Sequence, residues 1–157
     1  MLQTELAALF ARDLTRLSQE LRAFPDTPSI WRTAPGVTNA AGTLALHREG
    51  NLREYLGRQL GQIDYARDRP LEFGARHVEQ HEILERIEAI REMVPRVIGG
   101  LTAQALEARY PEDVLSVPMS TRQFLIHLSG HLNYHLGQID YLRRITTGDG
   151  AVALAGL

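Results

Sequence analysis

The longest helix that the sequence predicts is residues 120–148, STRQFLIHLSGHLNYHLGQIDYLRRITTG. Ser120, with Gln123 three residues later, matches a capping box, in which two side chains satisfy free backbone N–H groups at the start of a helix. Gly148 is the residue type expected just past a helix end, because glycine adopts the left-handed conformation without strain. This segment, called the histidine helix below, therefore has a defined beginning and a defined end.

Three histidines follow one another at four-residue spacing in the histidine helix: His127, His131 and His135. Neighbouring members are offset by about 40° around the helix, so they share one side of it. Phe124 and Leu142 lie about 20° from His131, which places His131 and His135 at the edge of the apolar face. An i, i+4 pair of neutral imidazoles suits one divalent metal ion, while a hydrogen-bonded buried pair and a solvated helix edge are the alternatives. His127 is a supporting residue, a surface residue or an alternative ligand.

Length and composition indicate one globular domain. The chain has 157 residues, of which 44% are hydrophobic and 23% are charged, as is ordinary for soluble proteins. We expect a single domain over residues 1–148 and a C-terminal tail over residues 149–157. The net charge of −2 and the mixed signs along the chain argue against nucleic-acid and membrane partners. No apolar run reaches membrane-spanning length, and the N-terminus does not resemble a signal peptide, so a cytoplasmic location is expected.

Two residue types are missing, and their absence limits the chemistry. The chain contains no cysteine, and all 17 basic residues are arginines. A cysteine nucleophile, thiolate ligands and a lysine Schiff base are therefore excluded. An enzyme of this composition has to use a hydroxyl, a carboxylate, metal-activated water or a group that the substrate brings.

Apolar periodicity predicts three further helices, over residues 4–24, from residue 39 or 43 to about residue 65, and 76–101. Proline-containing segments predict loops over residues 25–42, 66–73 and 102–119. In the second loop, Arg67, Asp68 and Arg69 are expected to pair at the surface with little effect on stability. Four helices and no strand predict an all-α fold, a four-helix bundle.

The other histidines give weaker signals. His47 lies in the second predicted helix, with Asn51 within about 60° of it. A single histidine on such a face is more often a satisfied core residue than a ligand, so both interpretations stay open. The third predicted helix has its own i, i+4 pair, His77 and His81, which lie among charged residues and are expected to be solvated.

The second predicted helix and the histidine helix share two segments of sequence. LHREGNL at 46–52 parallels IHLSGHL at 126–132, and LGQIDY occurs unchanged at 60–65 and 136–141. The repeat predicts that the two helices play similar roles about a pseudo-twofold axis. Chance similarity between two helix sequences is the alternative.

Two motifs resemble those of a known superfamily. The segment from His131 to Ile139, H-x3-H-L-G-Q-I, resembles the H-x3-H-R-G-Q signature of DinB/YfiT-like proteins, with Leu136 where arginine is common. LHREGNL followed by RDRPLEF resembles the second-helix region of one branch of that superfamily. The resemblance extends from Trp31 to Gly148 and covers most of the chain.

The resemblance implies a fold, a metal and a partner. Members are four-helix bundles, usually homodimers, with one divalent metal held by a histidine of the second helix and two of the last helix. Carried over to this chain, the ligands are His47, His131 and His135. Zinc or nickel is the expected ion, with iron, copper and manganese as alternatives. Several characterised members are thiol-dependent transferases or isomerases that use bacillithiol, mycothiol or glutathione.

These expectations lead to three functional hypotheses. The first is a metal-dependent enzyme that transfers a low-molecular-weight thiol cosubstrate onto an electrophilic small molecule. The second is a metal-dependent hydrolase, and the third is a metal-binding or dimerising bundle without turnover, related to a stress response. Asn51 and Gln138 are predicted to orient water, substrate or a ligand. Tyr134 and Gln138 are candidate catalytic residues, with Tyr134 as a proton donor.

Overall fold

The computed structural model describes residues 1–114 and 116–153, in which four long helical segments pack as a bundle. The long helices are α1 (Leu2–Arg22), α3 (Ala41–Leu52), α5 (Gln80–Gly99) and α7 (Thr121–Thr147). The short helices are α2 (Thr27–Ile30), α4 (Arg69–Gly74) and α6 (Ala103–Glu107), and a π-helix, Arg53–Arg58, continues α3. The described residues contain no strand. The predicted all-α four-helix bundle is confirmed.

Local sequence chemistry sets both ends of α7, as predicted. The Ser120 hydroxyl accepts a hydrogen bond from the Gln123 backbone N–H at 3.2 Å, and Gln123 Oε1 accepts one from the Ser120 backbone N–H at 2.9 Å. Gly148 ends the helix at φ 80°, in the left-handed region. The helix between these caps is about 40 Å long, so it can carry site residues and core residues along its whole length.

The core forms where the apolar faces of the four long helices meet. Helix α1 packs against α5 and α7, and α3 packs against α5 and α7. The fully buried apolar side chains of α1, α5 and α7 include Phe10, Leu14, Leu17, Leu21, Ile83, Ile87, Ile90, Val94, Ile98, Phe124, Leu125, Leu132 and Ile139. Burial of each stabilises the fold by roughly 1.5–3 kcal/mol relative to exposure, before the loss of chain entropy is counted.

Two polar contacts fix the orientation of α7 on α1. Arg143 Nε donates to Glu20 Oε2 at 2.7 Å, and both side chains are almost fully buried. Asn133 Nδ2 donates to Asp13 Oδ2 at 2.6 Å. Because Asn133 lies on the side of α7 away from His131, this contact leaves the histidine side of α7 turned away from α1.

The second predicted helix ends earlier than expected, and the repeated sequence does not keep one structure. The α-helix and its π extension stop at Arg58, not near residue 65. LGQIDY is helical at 136–141, but at 60–65 it forms a turn and irregular chain, with Gln62 at φ 53°. A Cβ on Gly61 would lie 2.8 Å from Val97 Cγ2, whereas one on Gly137 would meet nothing within 4 Å. The first copy thus packs closely against α5 at Gly61, whereas the second copy is open at Gly137.

Short helices occupy parts of all three segments that the sequence predicted as loops, with α6 in segment 102–119. In segment 66–73, Pro70 lies in the first turn of α4, and the Asp68 side chain caps it by accepting from the Leu71 N–H at 2.9 Å. Proline tolerates this position because the first-turn N–H groups have no helical partner. In segment 25–42, Asp26 and Ser29 form a capping box around α2. The prediction of a loop over residues 66–73 is therefore wrong for residues 69–73, which are helical.

Two further predictions concern the chain ends and membranes. Of the predicted C-terminal tail, residues 149–157, the part from residue 154 onward lies outside the described residues. Among the described helices, none combines the length and the apolar character needed to cross a membrane.

Candidate metal centre

Helices α3 and α7 bring three histidines together, as the resemblance implied. His47 of α3 is buried, and His131 and His135 of α7 are half-buried. One ligand atom from each histidine lies within 4.8 Å of those of the other two. The His47 ring centroid is 5.8 Å from that of His131 and 5.5 Å from that of His135. The cluster could hold a metal ion.

Glu72 of α4 orients His47. His47 Nδ1 lies 2.9 Å from Glu72 Oε2, and Arg67 binds the same carboxylate through Nε at 2.6 Å and Nη2 at 2.9 Å. Burial raises the pKa of Glu72, but the hydrogen bonds from Arg67 and His47 outweigh it, and the net pKa is lowered. The ionised carboxylate keeps the proton of neutral His47 on Nδ1, which leaves the lone pair on Nε2.

Gly50 allows Glu72 to approach α3. A Cβ at position 50 would lie 2.1 Å from Glu72 Oε1 and 2.7 Å from Glu72 Cδ. Gly50 follows His47 by three residues, so it lies on the same side of α3. The absence of a side chain there opens the space in which the carboxylate reaches the imidazole.

The lone pairs of His131 and His135 also point into the cluster. His135 Nδ1 lies 2.6 Å from Gln138 Oε1, an acceptor, so Nδ1 carries the proton and Nε2 the lone pair. Arg48 Nη2 donates to His131 Nε2 at 3.3 Å, so this nitrogen also presents a lone pair. The two Nε2 atoms are 3.0 Å apart. With Gln138 Oε1 as the acceptor for His135 Nδ1, these two lone pairs face each other, an arrangement that a cation bound between them would satisfy.

Protonation of the three histidines is unfavourable, so a proton is a poor candidate for the cation between His131 Nε2 and His135 Nε2. Burial, the positive charge of Arg48 and the neighbouring histidines lower the pKa of His131 to about 3. Burial and Arg48 lower the pKa of His135 to about 4, although Gln138 opposes the shift. Burial also lowers the pKa of His47 against the opposing effect of Glu72. Three neutral imidazoles are the donor set that fits a divalent transition-metal ion.

The structure adds three residues to the predicted site: Arg48, Arg67 and Glu72. Arg67 was predicted as a surface pair without consequence, which is wrong, because its side chain is only 14% exposed and holds Glu72. The available signal was Gly50 one helical turn after His47, together with an acidic residue in the following segment. Arg48 is fully buried, and burial together with Arg67 lowers its pKa to about 9. Nothing in its sequence context distinguished it from an exposed arginine.

The predicted supporting residues take different positions. Gln138 contacts His135, as described above. Asn51 is buried, and its Oδ1 has no hydrogen-bond partner among the described residues. Tyr134 is 64% exposed, with its ring centroid 5.2 Å from that of His135. Their roles in binding or catalysis stay predictions.

The remaining histidines lie outside the cluster. His127 is exposed, with its ring centroid 5.9 Å from that of His131. His127 occupies the position in the sequence repeat that corresponds to His47. Since His47 lies in the cluster and His127 does not, corresponding positions of the repeat do not have the same role. His77 and His81 are exposed as predicted. Four-residue spacing alone therefore does not identify the site.

A surface groove of about 540 Å³ adjoins the cluster. His135 and Gln138 lie on its wall, and apolar or aromatic side chains supply much of the remainder, including Val37, Leu44, Tyr134, Tyr141 and Ile145. The cluster is thus open on the side of His135, toward a space large enough for a small organic molecule.

Comparisons with known proteins support the fold. No protein-family model matches the sequence, and no curated protein matches it. Among solved structures, a DinB-like protein from Bacillus cereus ATCC 10987 matches over 95% of each chain, with a TM-score of 0.73 and 16% sequence identity. A similarity at this identity concerns the fold and not the activity. The chain therefore has the DinB-like fold, as its sequence motifs led us to expect.

Proposed function

We propose that this protein is a divalent-metal-dependent enzyme that acts on a small molecule, with His47, His131 and His135 as the metal ligands. The observation that supports this most directly is the convergence of their imidazole lone pairs, which the contacts of Glu72 and Gln138 direct into one space. Lone pairs that converge in a partly buried cluster are unfavourable, and a bound cation would satisfy them.

The surroundings of the cluster favour catalysis over a purely structural role. Structural zinc sites are usually closed by four protein ligands, whereas catalytic sites have three and an open position. Here three histidines supply the donors, and the groove reaches His135. A divalent ion in such a site acts as a Lewis acid and lowers the pKa of a hydroxyl or thiol that binds to it.

The reaction that we propose is transfer of a low-molecular-weight thiol onto an electrophile. The chain has no cysteine, so the sulfur nucleophile has to come from a cosubstrate. In the transfer, the thiol proton leaves to solvent, a C–S bond forms, and the leaving group departs with its electron pair. The apolar groove wall would hold the electrophile, Gln138 would keep His135 oriented, and Tyr134 is the candidate that donates a proton to the leaving group.

Two other functions are alternative outcomes of the experiments that test this proposal. The same ligands could support hydrolysis, in which water replaces the thiol, or a bundle that binds an ion without turnover. The homodimer and the cytoplasmic location implied by the resemblance likewise stay predictions.

The first test is the metal content of the purified protein. We expect one divalent ion per chain by elemental analysis, lost in His131→Ala. The matched control is His81→Ala, which removes an exposed histidine of another i, i+4 pair and should leave the metal content unchanged. An unmodified chain that takes up no ion when titrated with zinc, nickel or cobalt would refute both enzymatic hypotheses.

The second test separates the reactions. Consumption of a small thiol in the presence of an activated aryl halide is measured with and without a chelator, alongside a panel of hydrolysable esters and amides. Chelator-sensitive thiol consumption supports the transferase, and chelator-sensitive hydrolysis without thiol supports the hydrolase. A protein that holds its ion but is inactive on both panels leaves the non-catalytic bundle.

A further inference from the structure

Arg48 is a buried cation that pairs with no carboxylate among the described residues. Its side chain is fully buried in α3, and its Nε and Nη1 atoms have no hydrogen-bond partner among the described residues. Its recorded side-chain contact is the one from Nη2 to His131 Nε2 at 3.3 Å. Arg143 is as deeply buried but pairs with Glu20 at 2.7 Å and with the Gly150 carbonyl at 3.0 Å. Burial of a guanidinium is strongly unfavourable unless it is paired in this way.

The charges around the histidine cluster do not balance. Among the described residues, the charged side chains with the largest electrostatic effect on His47, Arg48 and His131 are Arg48, Arg67 and Glu72. Glu72 already accepts from Arg67 at both oxygens and from His47 at one of them. With neutral histidines, the site therefore carries one excess positive charge, and a divalent ion would add two more.

Metal binding would also remove the acceptor that Arg48 now uses. The lone pair on His131 Nε2 receives the Arg48 hydrogen bond and is also the pair that faces His135. An ion held by this nitrogen takes that lone pair, which leaves the buried guanidinium beside a cation with no acceptor from His131. An anion bound at the ion beside His131, within reach of the Arg48 guanidinium, would satisfy both positive groups.

From these contacts we propose that Arg48 binds the anionic group of a ligand at the metal centre, so that the site selects a compact anion, a thiolate or a carboxylate, over neutral ligands. The inference rests on the proposed metal site and specifies its ligand class. A thiolate would be the cosubstrate of the proposed transfer, and a carboxylate would belong to the electrophile.

The test uses the cobalt-loaded full-length protein, whose visible absorption reports ligands that bind to the ion. The probes are acetate for a carboxylate, 2-mercaptoethanol for a thiolate and imidazole as the neutral control. We expect Arg48→Met to bind both anionic probes roughly 10- to 100-fold more weakly and imidazole unchanged. Arg53→Met is the matched control, because Arg53 follows α3, pairs with Glu49 and is partly exposed. It should change none of the three affinities.

A structural role for Arg48 predicts a different result. Because Arg48→Met removes a like charge next to the ion, we expect its cobalt affinity to be equal to or higher than that of the unmodified protein. Damage to the fold would instead lower the affinity for cobalt, imidazole and anions together. Arg48→Lys keeps the charge and should retain more anion affinity than Arg48→Met, and Arg48→Gln is the second neutral variant should the methionine variant not fold.

The outcomes separate this inference from the proposed function. Cobalt binding with unchanged anion affinity in Arg48→Met or Arg48→Gln overturns the role of Arg48 and leaves the metal site standing. Loss of only one anionic probe identifies whether the bound group is a thiolate or a carboxylate. Failure of the unmodified protein to bind cobalt removes the metal site and this inference with it.

Discussion

Replacement of Gly50 with alanine is expected to weaken metal binding, because the new methyl group would occupy the place of the Glu72 carboxylate. The Cβ would lie 2.1 Å from Glu72 Oε1, so the carboxylate would have to move. The end of a glutamate side chain is flexible, but three hydrogen bonds from Arg67 and His47 hold this one. The perturbation therefore acts on the support of His47 and not on the backbone of α3.

The magnitude of the Gly50→Ala effect follows from two opposing contributions. Alanine is a better helix former than glycine by about 1 kcal/mol. Each hydrogen bond to a charged group contributes about 1.5–3 kcal/mol. Loss of one of them, less the gain in helix propensity, predicts a net destabilisation of about 0.5–2 kcal/mol in the metal-free protein. Loss of the partner that orients a histidine ligand typically lowers metal affinity about 10- to 100-fold.

The assay combines urea unfolding of the metal-free protein with a competition titration against a chromophoric chelator. Gly130→Ala is the control, because it makes the same substitution on α7, next to His131, where a Cβ meets nothing within 4 Å. It should stabilise the protein by up to about 1 kcal/mol without a change in metal affinity. In a Glu72→Ala background, Gly50→Ala should have no further effect on affinity, since the clash is gone.

One result would refute this reasoning. If Gly50→Ala binds the ion as tightly as the unmodified protein and is as stable as Gly130→Ala, then Glu72 does not occupy the space beside Gly50. The account of how His47 is oriented would then be wrong.

Two further predictions follow from the same site. Gln138→Leu removes the acceptor on His135 Nδ1 and should lower metal affinity about tenfold, while Gln104→Leu, an exposed control on α6, should not; equal affinities would contradict the role of Gln138. In the folded protein the pKa of His131 is about 3 and that of His135 about 4, whereas in the unfolded chain both are near the ordinary value of about 6.5. Between about pH 4 and 6.5 the unfolded chain therefore binds more protons than the folded protein. Stability of the metal-free protein should therefore fall as pH is lowered from about 6.5 to 4, with a smaller slope in His131→Asn, and identical slopes in urea unfolding would contradict the lowered pKa.

Prediction from the sequence succeeded where the signal was local. Ser120, Gln123 and Gly148 define α7 because caps depend on residues a few positions apart. It failed for LGQIDY, whose two copies are identical and differ in structure. The two copies differ in their tertiary surroundings, since Gly61 packs closely against Val97 of another helix and Gly137 meets nothing within 4 Å. The six residues alone therefore could not predict which copy is helical.

The same distinction applies to the candidate site. The pair His131 and His135 was predicted from the spacing within one helix, whereas His47 was predicted as a ligand only from the resemblance. Glu72 was missed because its contact with His47 joins α4 to α3, and charged residues near a proline are usually exposed. Arg48 was missed because its burial depends on helices that pack around α3 from several sides.

The division of the three histidines between α3 and α7 has a consequence for how the protein folds. More than half the length of the chain separates His47 from His131, so an ion shared by them would act as a cross-link in a protein that has no disulfide. At a free concentration one hundred times its dissociation constant, such an ion adds about 2.7 kcal/mol to stability. The His131–His135 pair on α7 would bind such an ion only weakly by itself, and full affinity would require the folded bundle that adds His47. The concentration of available metal would therefore determine the resistance of the protein to thermal unfolding and to proteolysis.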